Sequence, residues 1–213
     1  MNTEQGEKAV TSGIRCELIS WEYFYQLARK LSLAMHEAAF RPDLIVAISR
    51  GGCIPARVIC DYLDVFDLDV IKIEHYRGVH KAQSALLKYP LSADISGKRV
   101  LLVDDVSDTG DSFEVGMQHL LEHGEPAELK TAALHHKIVS SYTPDFYGEI
   151  VREWRWIIYP WAVMEDLRSL LEEMEQPPAT VMEFSRYIRQ EHGLVVPEKC
   201  LEDILLLHSD EQG

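Results

Sequence analysis

Nine consecutive residues, Asp104-Asp105-Val106-Ser107-Asp108-Thr109-Gly110-Asp111-Ser112, hold the densest chemistry in this sequence. Paired carboxylates suit sugar hydroxyls, from which they accept hydrogen bonds, or a divalent cation, which takes hard oxygen ligands. A Thr-Gly-Asp-Ser turn ahead of a helix offers backbone N–H groups, two hydroxyls and the positive helix end, which together suit a phosphate. The helix is expected to start at about Asp111 and to run through Phe113-Glu114-Val115-Gly116-Met117. Upstream, Val100-Leu101-Leu102-Val103 is an unbroken apolar run, as expected of a parallel strand covered on both faces. Ligands of open α/β sheets collect just past the carboxyl ends of such strands. An ordinary helix-capping loop needs one Asp, Ser or Thr, not this ordered set. The segment reads as a sugar-phosphate site.

A second loop, Ser49-Arg50-Gly51-Gly52, follows the short apolar run Leu44-Ile45-Val46-Ala47-Ile48. Two glycines let a backbone approach a ligand closely, and Arg50 can turn its planar fork to phosphate oxygens. Alone, this is a glycine-bearing turn with a solvated arginine; beside the first motif it reads as a second anion loop. Cys53 next to it is a small apolar filler.

The elements that must hold these loops can be read from periodicity. Ser20 can cap a helix over residues 21–38, where Trp21, Phe24, Tyr25, Leu27, Ala28, Leu31, Ala34 and Met35 form a stripe. Strands are expected at 44–48, 70–73, 100–103, 129–134 and 156–159, with helices at 54–63 and 111–122 between them. Residues 75–98 lack clean periodicity, carry Arg77, His80, Lys81 and Lys88, and suggest a hairpin with a loop. Alternating strands and helices predict a doubly wound, mostly parallel sheet. Helices at 166–174, 180–191 and 197–207 would follow, with Pro177-Pro178 as punctuation. The expected organisation is a domain over 14–176 and a C-terminal helical extension over 177–213.

Composition sets the limits. The chain has 213 residues, 46% hydrophobic and 26% charged, enough for one α/β domain with a small appendage. No apolar run approaches a membrane span and no signal-peptide pattern opens the sequence. Cys16, Cys53, Cys60 and Cys200 lack metal or redox spacing, so free thiols in a cytoplasmic setting are expected. A net charge of −14 argues against nucleic acid as a partner. It also means that a polyanionic ligand must be held locally, by backbone N–H groups, a few placed cations and a shielding divalent metal.

The Asp104–Ser112 segment resembles the phosphoribosyl-pyrophosphate motif of the type I phosphoribosyltransferases, in which two acids precede a segment ending Asp-Thr-Gly-x-Ser/Thr. The resemblance spans about residues 41–166. It implies that family's α/β fold with a small hood, a homodimer or homotetramer, and magnesium. It also implies phosphoribosyl pyrophosphate and a purine base as substrates. It assigns the 5-phosphate to Thr109, Gly110, Asp111 and Ser112, with the Asp111 side chain turned away to cap its own helix. The ribose hydroxyls or a metal, through water, would fall to Asp104 and Asp105, and Asp108 would be the general base. Ser49, Arg50 and Gly51 would take pyrophosphate, as the Ser-Arg-Gly-Gly loop does in xanthine–guanine enzymes, with a cis peptide at Arg50–Gly51. The loop over 76–96 would close over the reaction.

Lys137 and the run Arg155-Trp156-Ile157-Ile158-Tyr159-Pro160-Trp161 resemble the purine branch. There a lysine donates to the purine O6, an aromatic residue stacks on the base, and the next backbone contacts its 2-substituent. Lys137, Trp156 and Ile157 take these places, with Trp154 and Trp161 as competing platforms. A lysine is a donor only, so it selects a carbonyl over an amine. Ala162 stands where a carboxylate often follows Pro-Trp, with Glu165 and Asp166 only later. Two other readings stay open: a non-catalytic regulator that senses phosphoribosyl pyrophosphate, and a transferase acting on a pyrimidine.

Overall fold

The structure, a computed structural model, describes residues 13–76 and 84–210. In chain order its elements are β1 (Cys16–Leu18), α1 (Trp21–Glu37), β2 (Leu44–Ser49), α2 (Cys53–Leu63), β3 (Leu68–Tyr76), β4 (Ser84–Tyr89), β5 (Arg99–Ser107), α3 (Asp111–His123), β6 (Glu128–Lys137), β7 (Phe146–Val151), β8 (Trp156–Ile158), α4 (Val163–Glu172), α5 (Val181–His192) and α6 (Glu198–Asp210). They fall into two compact units: one runs from Glu22 to Trp154, and the other joins the chain up to Trp21 with the chain from Arg155 onward.

The first unit is built on a six-stranded sheet of order β4-β3-β2-β5-β6-β7. All neighbours run parallel except β3 and β4, which form the expected antiparallel hairpin. Arg77, His80 and Lys81, within residues 77–83 of the expected 76–96 loop, lie outside the described residues, and β4 occupies part of the remainder. Leu44, Val46, Ile48, Val100 and Leu102 pack into one core with Ile71, Phe113 and Leu120. Ile45, Ala47, Leu101 and Val103, on the alternate positions, are also fully buried. Burial on both faces is why these strands show no alternation. On α1 the buried residues are Phe24, Leu27, Ala28, Leu31, Ser32 and Met35, while Trp21, Tyr25 and Ala34 of the expected stripe are exposed.

Two strands were not visible in the sequence. In β7 the stretch Phe-Tyr-Gly-Glu-Ile-Val dilutes the apolar signal, because an edge strand is half solvated. Gly148 is needed there: a Cβ would stand 2.7 Å from the Leu134 carbonyl oxygen and 3.2 Å from Leu27. The other, β1, is only three residues long.

One topological feature decides where a ligand can sit. From β2 the chain winds to β3 on one side, and from β5 it winds to β6 on the other, although β2 and β5 are neighbours. The reversal opens a crevice at the carboxyl ends of β2 and β5, the expected binding place in an open α/β sheet. Both motif loops issue from these two strand ends.

In the second unit β1 and β8 pair in parallel. Ile158, Leu167, Leu171, Phe184, Ile188, Leu201 and Ile204 form its core. Its helix α4 begins at Val163 rather than at 166, so Glu165 and Asp166 occupy its first turn, where carboxylates suit the helix dipole. Thr180 caps α5 by accepting from Glu183 N–H at 3.2 Å. Gly193 closes that helix in the left-handed region at φ 72°. Among the described residues no helix is long and apolar enough to cross a membrane.

Candidate active site

Strand β5 does not stop at Val103 as expected; it continues through Ser107. Pairing explains this. On one side β6 accompanies it throughout, Asp104 lying opposite Ala133 and Ser107 opposite His136. On the other side the pairing with β2 ends at Ala47 and Val103. Asp104 and Asp105 are therefore strand residues with one open flank, beside the loop that leaves β2.

Asp104 is buried, and its Oδ1 accepts from the Asp105 N–H at 2.9 Å. The Gly52 backbone packs close by. Burial, with Asp105 alongside, holds the Asp104 carboxyl well above the usual carboxylate range. Asp105 is half-buried and lies against Gly51, where an added Cβ would collide with its carboxylate. At Gly52 a Cβ would collide with the Val103 carbonyl oxygen and stand 3.0 Å from the Asp104 Cα. Both glycines of the second loop are thus required by close approach to β5.

A cis peptide occurs in this loop, one residue earlier than expected, at Ser49–Arg50 instead of Arg50–Gly51. The reversal starts at the last residue of β2, and the Gly52 N–H already closes it on the Ile48 carbonyl at 2.9 Å. Burial pushes the Cys53 thiol up, with Ser49 opposing and the charges of Asp104 and Asp105 acting the same way as burial.

The phosphate turn is shaped by Gly110, at φ 104°, a conformation that side chains rarely adopt. Gly110 is also the N-cap of α3 and brings no side chain to its N–H groups. The Asp111 N–H donates to the Thr109 Oγ1 at 3.4 Å, so the capping contact observed here comes from Thr109 rather than from the Asp111 side chain. A segment that the sequence did not single out braces this turn. Ser141 donates to the Thr109 carbonyl through its N–H at 2.8 Å and its Oγ at 2.9 Å. Ser107 donates to the Tyr142 carbonyl at 2.8 Å, and the Tyr142 ring stacks on Phe113 with centroids 5.3 Å apart. The available signal was the polar Ser140-Ser141 pair after β6.

Asp108 and Lys137 meet directly. The Lys137 Nζ donates to the Asp108 Oδ2 at 2.8 Å, and the lysine is only 2% exposed. Trp154 completes the cluster: its Nε1–H donates to the Asp108 Oδ1 at 3.2 Å, and Lys137 Nζ stands 4.6 Å from its ring centroid. Trp156 and Ile157 belong to the other unit, on β8. There the Trp156 Nε1–H donates to Asp166 at 2.9 Å. Trp161, the other competing platform, stacks on Tyr159 at 4.9 Å and 4°. Burial raises the Asp166 carboxyl to about 6, against the Trp156 hydrogen bond.

The residues at hand fit a magnesium ion that completes its shell with substrate oxygens. Asp104 and Asp105 offer hard oxygens, and among the described residues no group of three His, Cys, Asp or Glu side chains forms a protein-only cage. Magnesium commonly binds through one or two carboxylates plus phosphates.

The family model for the phosphoribosyl transferase domain matches residues 17–166. The chain belongs to the phosphoribosyltransferase family. Within it, a xanthine-guanine phosphoribosyltransferase of Desulfotalea psychrophila is 28% identical over 158 residues, 74% of this chain and 93% of that protein. A purine phosphoribosyltransferase structure from Pyrococcus horikoshii Ot3 aligns with a TM-score of 0.61 and 32% identity, over 70% of this chain and 94% of that one. A Neisseria gonorrhoeae structure with bound ppGpp aligns with a TM-score of 0.62 and 25% identity, over 70% of this chain and 89% of that one. These likenesses put this phosphoribosyltransferase in the purine branch.

Proposed function

We propose that this purine phosphoribosyltransferase moves phosphoribose from phosphoribosyl pyrophosphate to N9 of guanine, xanthine or hypoxanthine, releasing pyrophosphate. The observation that carries the reading is the pairing of buried Lys137 with partly exposed Asp108 beside the phosphate turn. A 6-oxopurine can satisfy both members, O6 accepting from Lys137 and the N7 proton going to Asp108 as general base. Adenine presents an amine to a lysine that can only donate, and a buried donor left unmatched is costly.

The other assignments follow the family resemblance. The N–H groups at the start of α3, with Thr109, Gly110, Asp111 and Ser112, cradle the 5-phosphate. Ser49, Arg50 and Gly51 receive pyrophosphate, and Trp156 and Ile157 serve the base by stacking and a backbone contact. As the C1–O bond breaks, positive charge grows on the sugar, and the Asp104 and Asp105 carboxylates at its hydroxyls offset it. Magnesium, held through these two residues or waters on them, would lower the charge of the pyrophosphate. The match over 17–166 supports 14–176 as the transferase domain and 177–213 as its helical extension. A cytoplasmic homodimer or homotetramer belongs to the same proposal.

The test is to incubate the full chain with magnesium, phosphoribosyl pyrophosphate and, separately, guanine, xanthine, hypoxanthine, adenine and uracil. Nucleotide from the first three and none from adenine or uracil is expected. Product with uracil alone, or with no base at all, would refute the proposal. Asp108→Asn should lower kcat far more than it weakens phosphoribosyl-pyrophosphate binding.

A further inference from the structure

We infer that Trp154 is a positioning residue that fixes the carboxylate plane of Asp108 and covers the ammonium of Lys137; this rests on the base-binding roles proposed for those two. The three side chains come from successive places along one edge of the sheet. Asp108 follows β5, Lys137 ends β6, and Trp154 stands in the loop after β7. That loop is anchored at its root, where the Ile138 N–H donates to the Val151 carbonyl at 3.1 Å and Lys137 pairs with Val151.

A carboxylate held by one donor can turn about that contact, because the torsion of its sp² group is broad. Here each oxygen has its own donor: Lys137 on Oδ2 at 2.8 Å and the Trp154 indole on Oδ1 at 3.2 Å. Two donors on two oxygens define the plane. A carboxylate has about four acceptor sites, so these two contacts leave room for a proton arriving from a base. The indole contributes a second contact through its face, on which Lys137 Nζ stands at 4.6 Å. One side chain thus controls the direction of both the proton acceptor and the carbonyl donor.

Phenylalanine separates the two effects, since it keeps the ring over Lys137 and loses the N–H. Trp154 is 46% exposed, so this change opens no core cavity. The experiment measures kcat and KM for both substrates, with magnesium, in the wild type, Trp154→Phe, Trp154→Ala, Asp108→Asn and the double variant Trp154→Phe/Asp108→Asn. Losing a hydrogen bond to a charged group should lower kcat of Trp154→Phe by about tenfold. KM for phosphoribosyl pyrophosphate should stay within about twofold, because neither phosphate loop is touched. Trp154→Ala should in addition raise KM for the purine. In the Asp108→Asn background Trp154→Phe should cost nothing further, because its effect passes through Asp108. Wild-type kcat in Trp154→Phe, or losses that multiply in the double variant, would overturn the inference while leaving the proposed reaction standing. Unchanged turnover in Asp108→Asn would instead remove the base role itself, and the positioning role with it.

Discussion

Replacing Asp166 by asparagine should stabilise this protein at pH 8 and leave it unchanged at pH 4. Asp166 sits in the first turn of α4, and its Oδ1 accepts from the Trp156 indole at 2.9 Å. Burial, with a smaller push from Glu165, raises its carboxyl from 3.8 to about 6 although the Trp156 hydrogen bond opposes the rise. Because the folded-state value is raised, the native protein binds more protons than the unfolded chain between about pH 4 and pH 6, and stability falls as pH rises through that window. A shift of about two units corresponds to a ceiling of about 3 kcal/mol, and partial solvent access reduces this to about 1–2 kcal/mol. Asparagine removes the charge and keeps a carbonyl oxygen for the indole. For a chain of this size the melting temperature should rise by roughly 3–6 °C at pH 8. Thermal unfolding of both proteins at pH 4, 6 and 8 provides the comparison. An equal difference at pH 4 and pH 8, or a less stable variant at pH 8, would refute the electrostatic argument.

The remaining predictions concern the other contacts described. Gly52→Ala should lower stability by about 2–4 kcal/mol in denaturant titration, because its Cβ meets backbone at Val103, Ile48 and Asp104. Gly51→Ala, whose Cβ has atoms of the Asp105 side chain as its three nearest neighbours, should fold and show a raised KM for phosphoribosyl pyrophosphate. Asp43 is held down at about 2 by its hydrogen bonds from the Arg99 side chain, so the pair should stabilise the fold above about pH 4 and lose that effect as pH falls toward 2. Because both side chains are partly exposed, Asp43→Asn should cost no more than about 1 kcal/mol at pH 7 and nothing near pH 2, read from unfolding midpoints. Lys137→Met should lower kcat/KM for guanine or hypoxanthine by about a hundredfold or more, measured by nucleotide formation.

Much of this could be read from local signals. Val100–Val103 and Leu44–Ile48 announce buried parallel strands because nothing polar interrupts them, and the alternation of strand and helix supplies the wound sheet. The Asp104–Ser112 segment and the Ser49–Gly52 loop were legible because each carries its chemistry within a few consecutive residues. What stayed hidden depends on distance along the chain. Asp108 and Trp154 are 46 residues apart, and no periodicity marks their contact. The Ser141 brace beneath Gly110 comes from 32 residues beyond Thr109. The extension of β5 through Ser107 was missed because four carboxylates in the segment read as loop. Pairing along one flank with β6 overrides that local preference.

The close approach of Gly52 to the Asp104 backbone, and of Gly51 to the Asp105 carboxylate, ties together two segments that would grip opposite ends of a single sugar. Spacing between those grips is then a property of the fold, set by that packing before any donor binds. Such advance arrangement lowers the ordering cost of binding. It also means that damage to either loop reaches the other: changes at positions 51–53 and at 104–105 should couple rather than add.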